Sequence, residues 1–196
     1  MIVIISGTNR TGSNTRKVAT HVEKPYATLG VPAQILDLAQ LPPEIYLPAA
    51  YDKTPASFQP FIDLLLSADG LVVVTPEYNG GIPGALKYFI DMLPFPESFD
   101  QRPVCFVGLA AGLWGAMRPT EQLQQIFAYR HGLVFPERVF LPGVNNLLDA
   151  TGRLQPVMER NLLQQATKFA RFVEKLREKR FDRATAAAES QTLPTT

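Results

Sequence analysis

One short segment concentrates hydrogen-bond donors beyond what a turn requires. Residues 7–15, GTNRTGSNT, follow directly on the apolar run MIVIIS. Arg10 offers a rigid fork of positive charge suited to an anion. Thr8, Ser13, Asn14 and Thr15 add hydroxyl and amide donors, and Gly7 and Gly12 let the backbone approach a ligand closely. If a helix starts at about residue 14, its first N–H groups point at the same spot, and the set makes a phosphate site. The same residues also suit an ordinary N-capped helix with Ser13 or Asn14 as the cap. On this segment alone the two readings stand level.

What the segment lacks narrows the phosphate. Gly7 and Gly12 have the spacing of a nucleoside triphosphate loop, but Ser13-Asn14 stands where that loop needs lysine followed by serine or threonine. Asn9 occupies the middle glycine of the dinucleotide fingerprint. A metal-free cradle rich in hydroxyls suits one terminal phosphomonoester, such as that of FMN. A second constellation favours this reading over the capped helix. TPEYNGGIPGALKYFID, residues 75–91, is stiffened by Pro76 and Pro83, turns tightly at Asn79-Gly80-Gly81, and places Pro83 for the first turn of a helix. Such an arc lays backbone groups and an aromatic side chain against the polar edge of a flat heterocycle. In this reading an N–H near Asn79 or Gly80 faces the reactive nitrogen of a flavin.

Both segments need a scaffold that brings them to one edge, and the remaining pattern supplies it. Short apolar runs at 1–6, 33–38, 70–76, 103–110 and 132–143 alternate with helical patterns at about 14–29, 56–67, 83–93, 118–130 and 154–180. Pro136 interrupts the fifth run. Continuous valine and isoleucine runs suit strands covered on both faces. The expectation is a flavodoxin-like, doubly wound α/β fold with a five-stranded parallel sheet in the order 2-1-3-4-5 and helices on both faces. Ligands of such sheets sit beyond the carboxyl ends of the strands, where strand 1 meets strand 3. The chain of 196 residues is long enough for one core and short for two, so a single domain over 1–180 is expected, with a disordered tail at 181–196. The proline-rich connection at 38–55 carries Ile45, Tyr46, Leu47 and Tyr51, which suit a partner surface or a lid.

Charge and composition exclude several classes. Nineteen basic and eighteen acidic side chains leave a formal charge of +1, so nothing draws the chain to nucleic acid or an anionic membrane. The sequence lacks a secretory leader pattern and an apolar run of membrane-spanning length, which makes the cytoplasm the expectation. The one cysteine, Cys105, lies in the apolar run PVCFVGL and reads as a small buried hydrophobe. No His/Cys cluster has metal-ligand spacing. His21 and His131 read as structural or solvated, and GTNRTGS is not a nucleophile elbow, which weakens a hydrolase built on Ser6 or Ser13.

SGTNRTGSNT at 6–15 and PEYNGGIPGALKYFID at 76–91, with a weaker match in LAAGLWGAMRPTEQLQQIF at 109–127, resemble the NAD(P)H-dependent FMN reductase family. This flavodoxin-like group includes quinone, chromate and azo-dye reductases, and the resemblance spans Met1 to about Arg180. It implies that Thr8, Arg10, Ser13, Asn14 and Thr15 hold the FMN phosphate and that Pro76, Glu77, Tyr78 and Asn79 line the isoalloxazine. It further implies that Ala111, Gly112, Trp114 and Gly115 close the other side. Two positions depart from the family pattern: Gly81 stands where many members carry serine, and Trp114 replaces paired glycines. The resemblance implies hydride transfer from NADPH or NADH through FMN to a small-molecule electron acceptor, in a homodimer or homotetramer with the flavin at the interface. The 38–55 loop and the residues around Phe95 and Phe99 are nominated for that contact. A flavodoxin-like electron carrier or an FMN-binding sensor without turnover are the alternatives, and the near-neutral charge disfavours the usually acidic carrier.

Overall fold

Five strands form one parallel sheet in the order β2-β1-β3-β4-β5. In the computed structural model, which describes residues 1–191 and the side chains of 1–177, the strands are β1 (Ile2–Ser6), β2 (Ala33–Asp37), β3 (Gly70–Pro76), β4 (Pro103–Leu109) and β5 (Leu133–Leu141). The helices are α1 (Asn14–Thr28), α2 (Gln59–Leu66), α3 (Gly84–Asp91), α4 (Met117–Tyr129), the short α5 (Val144–Leu147) and α6 (Pro156–Gln191). Each parallel crossover needs a covering helix, and the alternation of elements provides one. The expected order and helix positions stand. Helix α6 runs past the expected end near 180, and the side chains of the nominated tail, with all of 192–196, lie outside the described residues.

The central strands are buried at every position because each face has its own core. Val3, Ile5, Leu71, Val73, Val104 and Phe106 point to the side that carries Phe58, Phe89, Leu123 and Phe127. Ile2, Ile4, Val72, Val74, Cys105 and Val107 point to the side that carries Val18, Val22, Tyr26 and Phe169. Successive residues of a strand alternate between faces, so continuous runs rather than an alternating pattern are required. Burial pushes the Cys105 thiol well above its ordinary pKa, as expected of a core hydrophobe.

Strand β5 is not broken at Pro136. Val104 pairs with Val134 and Phe106 with Arg138, so two extra residues of β5 bulge out opposite β4. Pro136 sits exposed in that bulge on an edge strand, where its missing N–H costs no ladder bond. The 38–55 connection folds into three short 3-10 helices at Leu38–Gln40, Pro43–Tyr46 and Pro48–Ala50. Ile45 turns fully into the core, whereas Tyr46, Leu47 and Tyr51 stay exposed. The nomination of Phe99 as a contact residue is corrected: it is buried against Phe127, with ring centroids 4.6 Å apart, while Phe95 alone of that pair is exposed.

Candidate functional site

At the carboxyl end of β1 the chain turns sharply before α1. Gly7 N–H donates to the Val74 carbonyl at 2.9 Å, and a Cβ at Gly7 would stand 2.7 Å from that same oxygen. Gly7 therefore serves the close approach of β1 to β3 rather than a ligand, a correction to its expected role. Gly12, at φ +66 with nothing within 4 Å of a would-be Cβ, faces open space. Ser13 caps α1, its Oγ accepting from Arg16 N–H at 3.2 Å. The hydroxyl hydrogen remains free to donate, so capping and anion binding use different ends of one group. No acidic residue occupies the first turn of α1, which leaves the positive end of its dipole uncompensated.

The arc after β3 takes the shape expected of it. Tyr78 and Gly81 exchange both backbone hydrogen bonds, at 3.0 and 3.1 Å, around a two-residue turn with Asn79 at φ 51 and Gly80 at φ 74. Two successive positive φ angles define a type I′ turn, the strongest preference of an Asn-Gly pair. Pro83 precedes α3 as its N-cap, one position earlier than expected. A Cβ at Gly81 would lie no closer than 3.5 Å to Gln122, so the serine common in the family would fit here.

These segments meet in a cavity of about 450 Å³. Arg10, Ser13, Asn14 and Thr15 form one wall, Pro76, Glu77 and Tyr78 a second, and Ala111 stands on a third with Leu109 and Ala110. Thr8 lies behind the wall, buried, its hydroxyl 2.8 Å from the Tyr78 hydroxyl and accepting from Arg10 N–H at 3.3 Å. Arg10 also sits 5.9 Å from the centroid of the Tyr78 ring, a cation–π contact joining the two segments. Asn79, Gly112, Trp114 and Gly115 are not among the lining residues. Trp114 is largely exposed, and Gly115, at φ +55, packs against Phe140 and Pro142.

Thr11, Leu109 and Ala110 line the cavity without having been nominated, and two further lining residues lie outside every segment singled out in the sequence. Val144 and Asn145 open the short helix α5 just after β5, and Asn145 Oδ1 accepts from Asn14 Nδ2 at 2.9 Å. The signal was PGVNN directly after the fifth strand, since all carboxyl ends of a parallel sheet share one edge. Val144 N–H donates to the Ala110 carbonyl and Gly143 N–H to that of Gly112, which ties this loop to the one after β4.

The wall after β1 offers one guanidinium, three side-chain donors and an open helix end, a chemistry that fits a phosphomonoester, with a rigid aromatic arc opposite. Glu77 completes the fit. Its Oε1 meets Arg118 Nη1 at 3.5 Å, while its Oε2 is buried without a hydrogen-bond partner among the described residues. A buried acceptor of that kind calls for an N–H or O–H from whatever fills the cavity, and FMN carries both.

Residues 1–146 match the model of the NADPH-dependent FMN reductase family. The chain belongs to that family. Membership makes it an oxidoreductase of a group whose cofactors are FMN and a reduced nicotinamide nucleotide. An NAD(P)H-dependent FMN reductase of Pseudomonas aeruginosa is 32% identical over 166 residues, 82% of this chain and 88% of the relative. A quinone reductase of Escherichia coli K12 is 32% identical over 63% of this chain and 68% of its own. Among solved structures, the flavoenzyme FerB, an NAD(P)H:acceptor oxidoreductase from Paracoccus denitrificans, aligns with a TM-score of 0.74 at 21% identity, over 89% of this chain and 97% of its own. A flavodoxin of Pseudomonas aeruginosa shares the fold at a TM-score of 0.58 and 16% identity, over 88% of this chain and 98% of its own. No helix among the described residues is long and apolar enough to cross a membrane.

Proposed function

We propose that the protein binds FMN in the cavity between β1 and β3 and uses it to pass electrons from NADPH or NADH to small-molecule acceptors, quinones first. The observation that carries this is the single cavity shared by Arg10, Ser13, Asn14 and Thr15 with Pro76, Glu77 and Tyr78 at the sheet's switch point. Bound FMN supplies two-electron transfer between donor and acceptor. The net reaction takes a hydride from the nicotinamide and one proton from solvent, and turns a quinone into a hydroquinone.

In this assignment the chain binds and orients. Arg10, Ser13, Asn14, Thr15 and the N-terminus of α1 hold the phosphate, while Thr8, expected among them, instead fixes Tyr78 and the Arg10 backbone from behind the wall. The Pro76–Asn79 arc and Ala111 face the ring system, and Glu77 Oε2 accepts one of its hydrogen-bond donors. Gly112, Trp114 and Gly115 belong to the rim of the site. No acid–base pair is required, and the histidines offer none. His21 Nε2 donates to the Gly152 carbonyl at 2.8 Å, and His131 sits exposed beside Asp100. The relatives that carry the names quinone reductase and NADPH azoreductase, the second from Bacillus sp. strain OY1-2 at 28% identity, support the acceptor class. Exposed Tyr46 and Tyr51, whose rings meet that of Tyr88 tilted and edge-on, together with exposed Leu47 and Phe95, support a homodimer or homotetramer. A cytoplasmic location fits the same reading.

The test is an absorbance spectrum of protein loaded with FMN and freed of excess, followed by anaerobic NADPH and then NADH. Retention of the band near about 450 nm and its bleaching within seconds is the expected result. Retention without bleaching by either nucleotide makes the protein a carrier or sensor, and no retention ends the cradle assignment.

A further inference from the structure

The connection between β5 and α6, residues 142–155, reaches the cavity at one end and α1 at the other. Val144 and Asn145 line the cavity, and Gly152, at φ +80, turns the chain beside Lys17 of α1. The two ends are bonded into one unit. Leu148 and Leu154 form a bridge, and Asp149 N–H donates to the Arg153 carbonyl at 3.0 Å. Gln155 reaches back to α5, its N–H donating to the Leu147 carbonyl at 2.9 Å and its Nε2 to that of Asn146 at 3.0 Å.

This unit is fastened to α1 at two points. Asn14 and His21 stand seven residues apart, about two turns of helix, so their side chains share one face. The Asn14–Asn145 bond is exposed, and water competes for it. The bond from His21 is the protected one: the residue is 6% exposed, and Nε2 lies 2.8 Å from the Gly152 carbonyl oxygen. The neighbours of the ring decide which nitrogen carries the proton. Lys24 Nζ, 3.4 Å from Nδ1, can only donate, which puts the proton of the neutral ring on Nε2. Glu159 Oε1 on α6, 3.4 Å from the same Nδ1, accepts the second proton of a charged ring. Nε2 therefore donates to Gly152 in either charge state.

We propose that the connection is a strap completing the phosphate end of the cavity, and that His21 is the positioning residue that fastens it. His21 lies outside the cavity lining. Through Gly152 it holds the strap against α1, and the strap in turn holds Asn145 over Asn14 and Val144 at the wall. What the strap does for FMN rests on the reading above, whereas the fastening itself does not.

Amide exchange of flavin-free protein, followed by NMR in His21→Leu and His21→Gln, tests the fastening. Leucine supplies no donor, while the glutamine side-chain amide restores one. The hydrogen-bonded N–H groups of Val144, Asn146, Leu148 and Gly152 should exchange about tenfold faster in His21→Leu, the effect of one lost hydrogen bond, with β1 and β3 unchanged. His21→Gln should return them to the slow rate. Equal acceleration throughout the chain, which marks a merely structural histidine, overturns the proposal, as does no acceleration in the strap or a glutamine that restores nothing. The unaltered protein gives a second measurement that needs no variant. A ligand favoured by the fastened strap must favour the fastening in turn, so saturating FMN should slow exchange of the His21 ring N–H at least about fivefold. A ring proton that exchanges equally with and without bound FMN removes the strap from the cofactor site. If the unaltered protein does not retain FMN, the reductase reading fails, and exchange in the flavin-free variants still decides whether His21 fastens the strap.

Discussion

Tyr78 and Thr8 share one short contact that joins the two segments of the site, and each side chain depends on the other for its place. Replacing Tyr78 with Phe removes the 2.8 Å hydroxyl pair and leaves Thr8 Oγ1 with only the Arg10 N–H. A loss of about 1 kcal/mol in unfolding free energy is expected, read from the urea midpoint at unchanged slope. Arg10→Ala acts differently, because Arg10 is exposed and its charge is not needed for folding. The expected result is an FMN dissociation constant raised at least about tenfold with an unchanged melting temperature, measured by flavin fluorescence titration. Gly12 is held by its backbone alone, since a side chain has room there but not at φ +66. Gly12→Ala should cost about 1–2 kcal/mol of stability.

At the scale of elements, buried arginines tie helix ends that the sheet leaves open. Arg130, at the C-terminus of α4, donates to the carbonyls of Ile90, Leu93 and Pro94 at 3.2, 3.4 and 2.7 Å and lies 4.8 Å from the Phe99 ring centroid. Ile90 also accepts from Leu93 N–H at 3.4 Å, whereas the carbonyls of Leu93 and Pro94, just beyond α3, take their hydrogen bonds from Arg130. Arg130→Met should destabilise the protein by about 3 kcal/mol, visible as a lowered thermal midpoint, because the Leu93 and Pro94 carbonyls would lose their donor. The turn before α6 is organised by Asp149, whose Oδ1 accepts from Thr151 Oγ1, Thr151 N–H and Arg153 N–H at 2.7, 2.8 and 2.9 Å. The Thr151 hydroxyl above all, then the Arg153 N–H, lowers the Asp149 pKa below the ordinary carboxylate value. A depressed folded pKa means that the contribution is complete above the unfolded value and is lost as pH falls through the folded one. Amide exchange at Thr151 and Arg153 should therefore stay slow through mild acid and quicken only below the usual aspartate range. Asp149→Asn should quicken it at neutral pH.

For the whole molecule, the sheet order decides where chemistry can occur. Order 2-1-3-4-5 sends the connection after β1 to one face and the connection after β3 to the other, and the gap between them at the carboxyl edge is the cavity. The aromatic surface of Tyr46, Tyr51 and Tyr88 lies on the side of α3, with ring centroids 5.1 and 5.9 Å apart. An exposed cluster of this kind favours self-association. Sedimentation velocity is expected to show a species larger than the monomer, and Leu47→Glu with Tyr51→Glu to shift it toward the monomer.

The strands and the two site segments were legible in the sequence because they depend on local physics, and the strand order followed from the fold class that the βα alternation implies. Continuous Val/Ile runs require covered strands, and Asn-Gly requires its turn. Arg10, Ser13, Asn14 and Thr15 follow a strand in a class of sheet whose carboxyl edge binds ligands. The sequence misjudged or missed what depends on a neighbour distant along the chain. Whether Gly7 serves a ligand or a strand contact is decided by the Val74 carbonyl, 67 residues away in sequence and 2.9 Å away in space. Whether Pro136 ends a strand is decided by β4, which tolerates a bulge at an edge. Val144 and Asn145 enter the cavity only because the fifth strand ends beside the fourth, and Phe99 is buried only because Phe127 and Arg130 close over it. Local patterns set which elements form and what chemistry each carries. Packing, which sums contacts across the chain, decided which of those residues share a site.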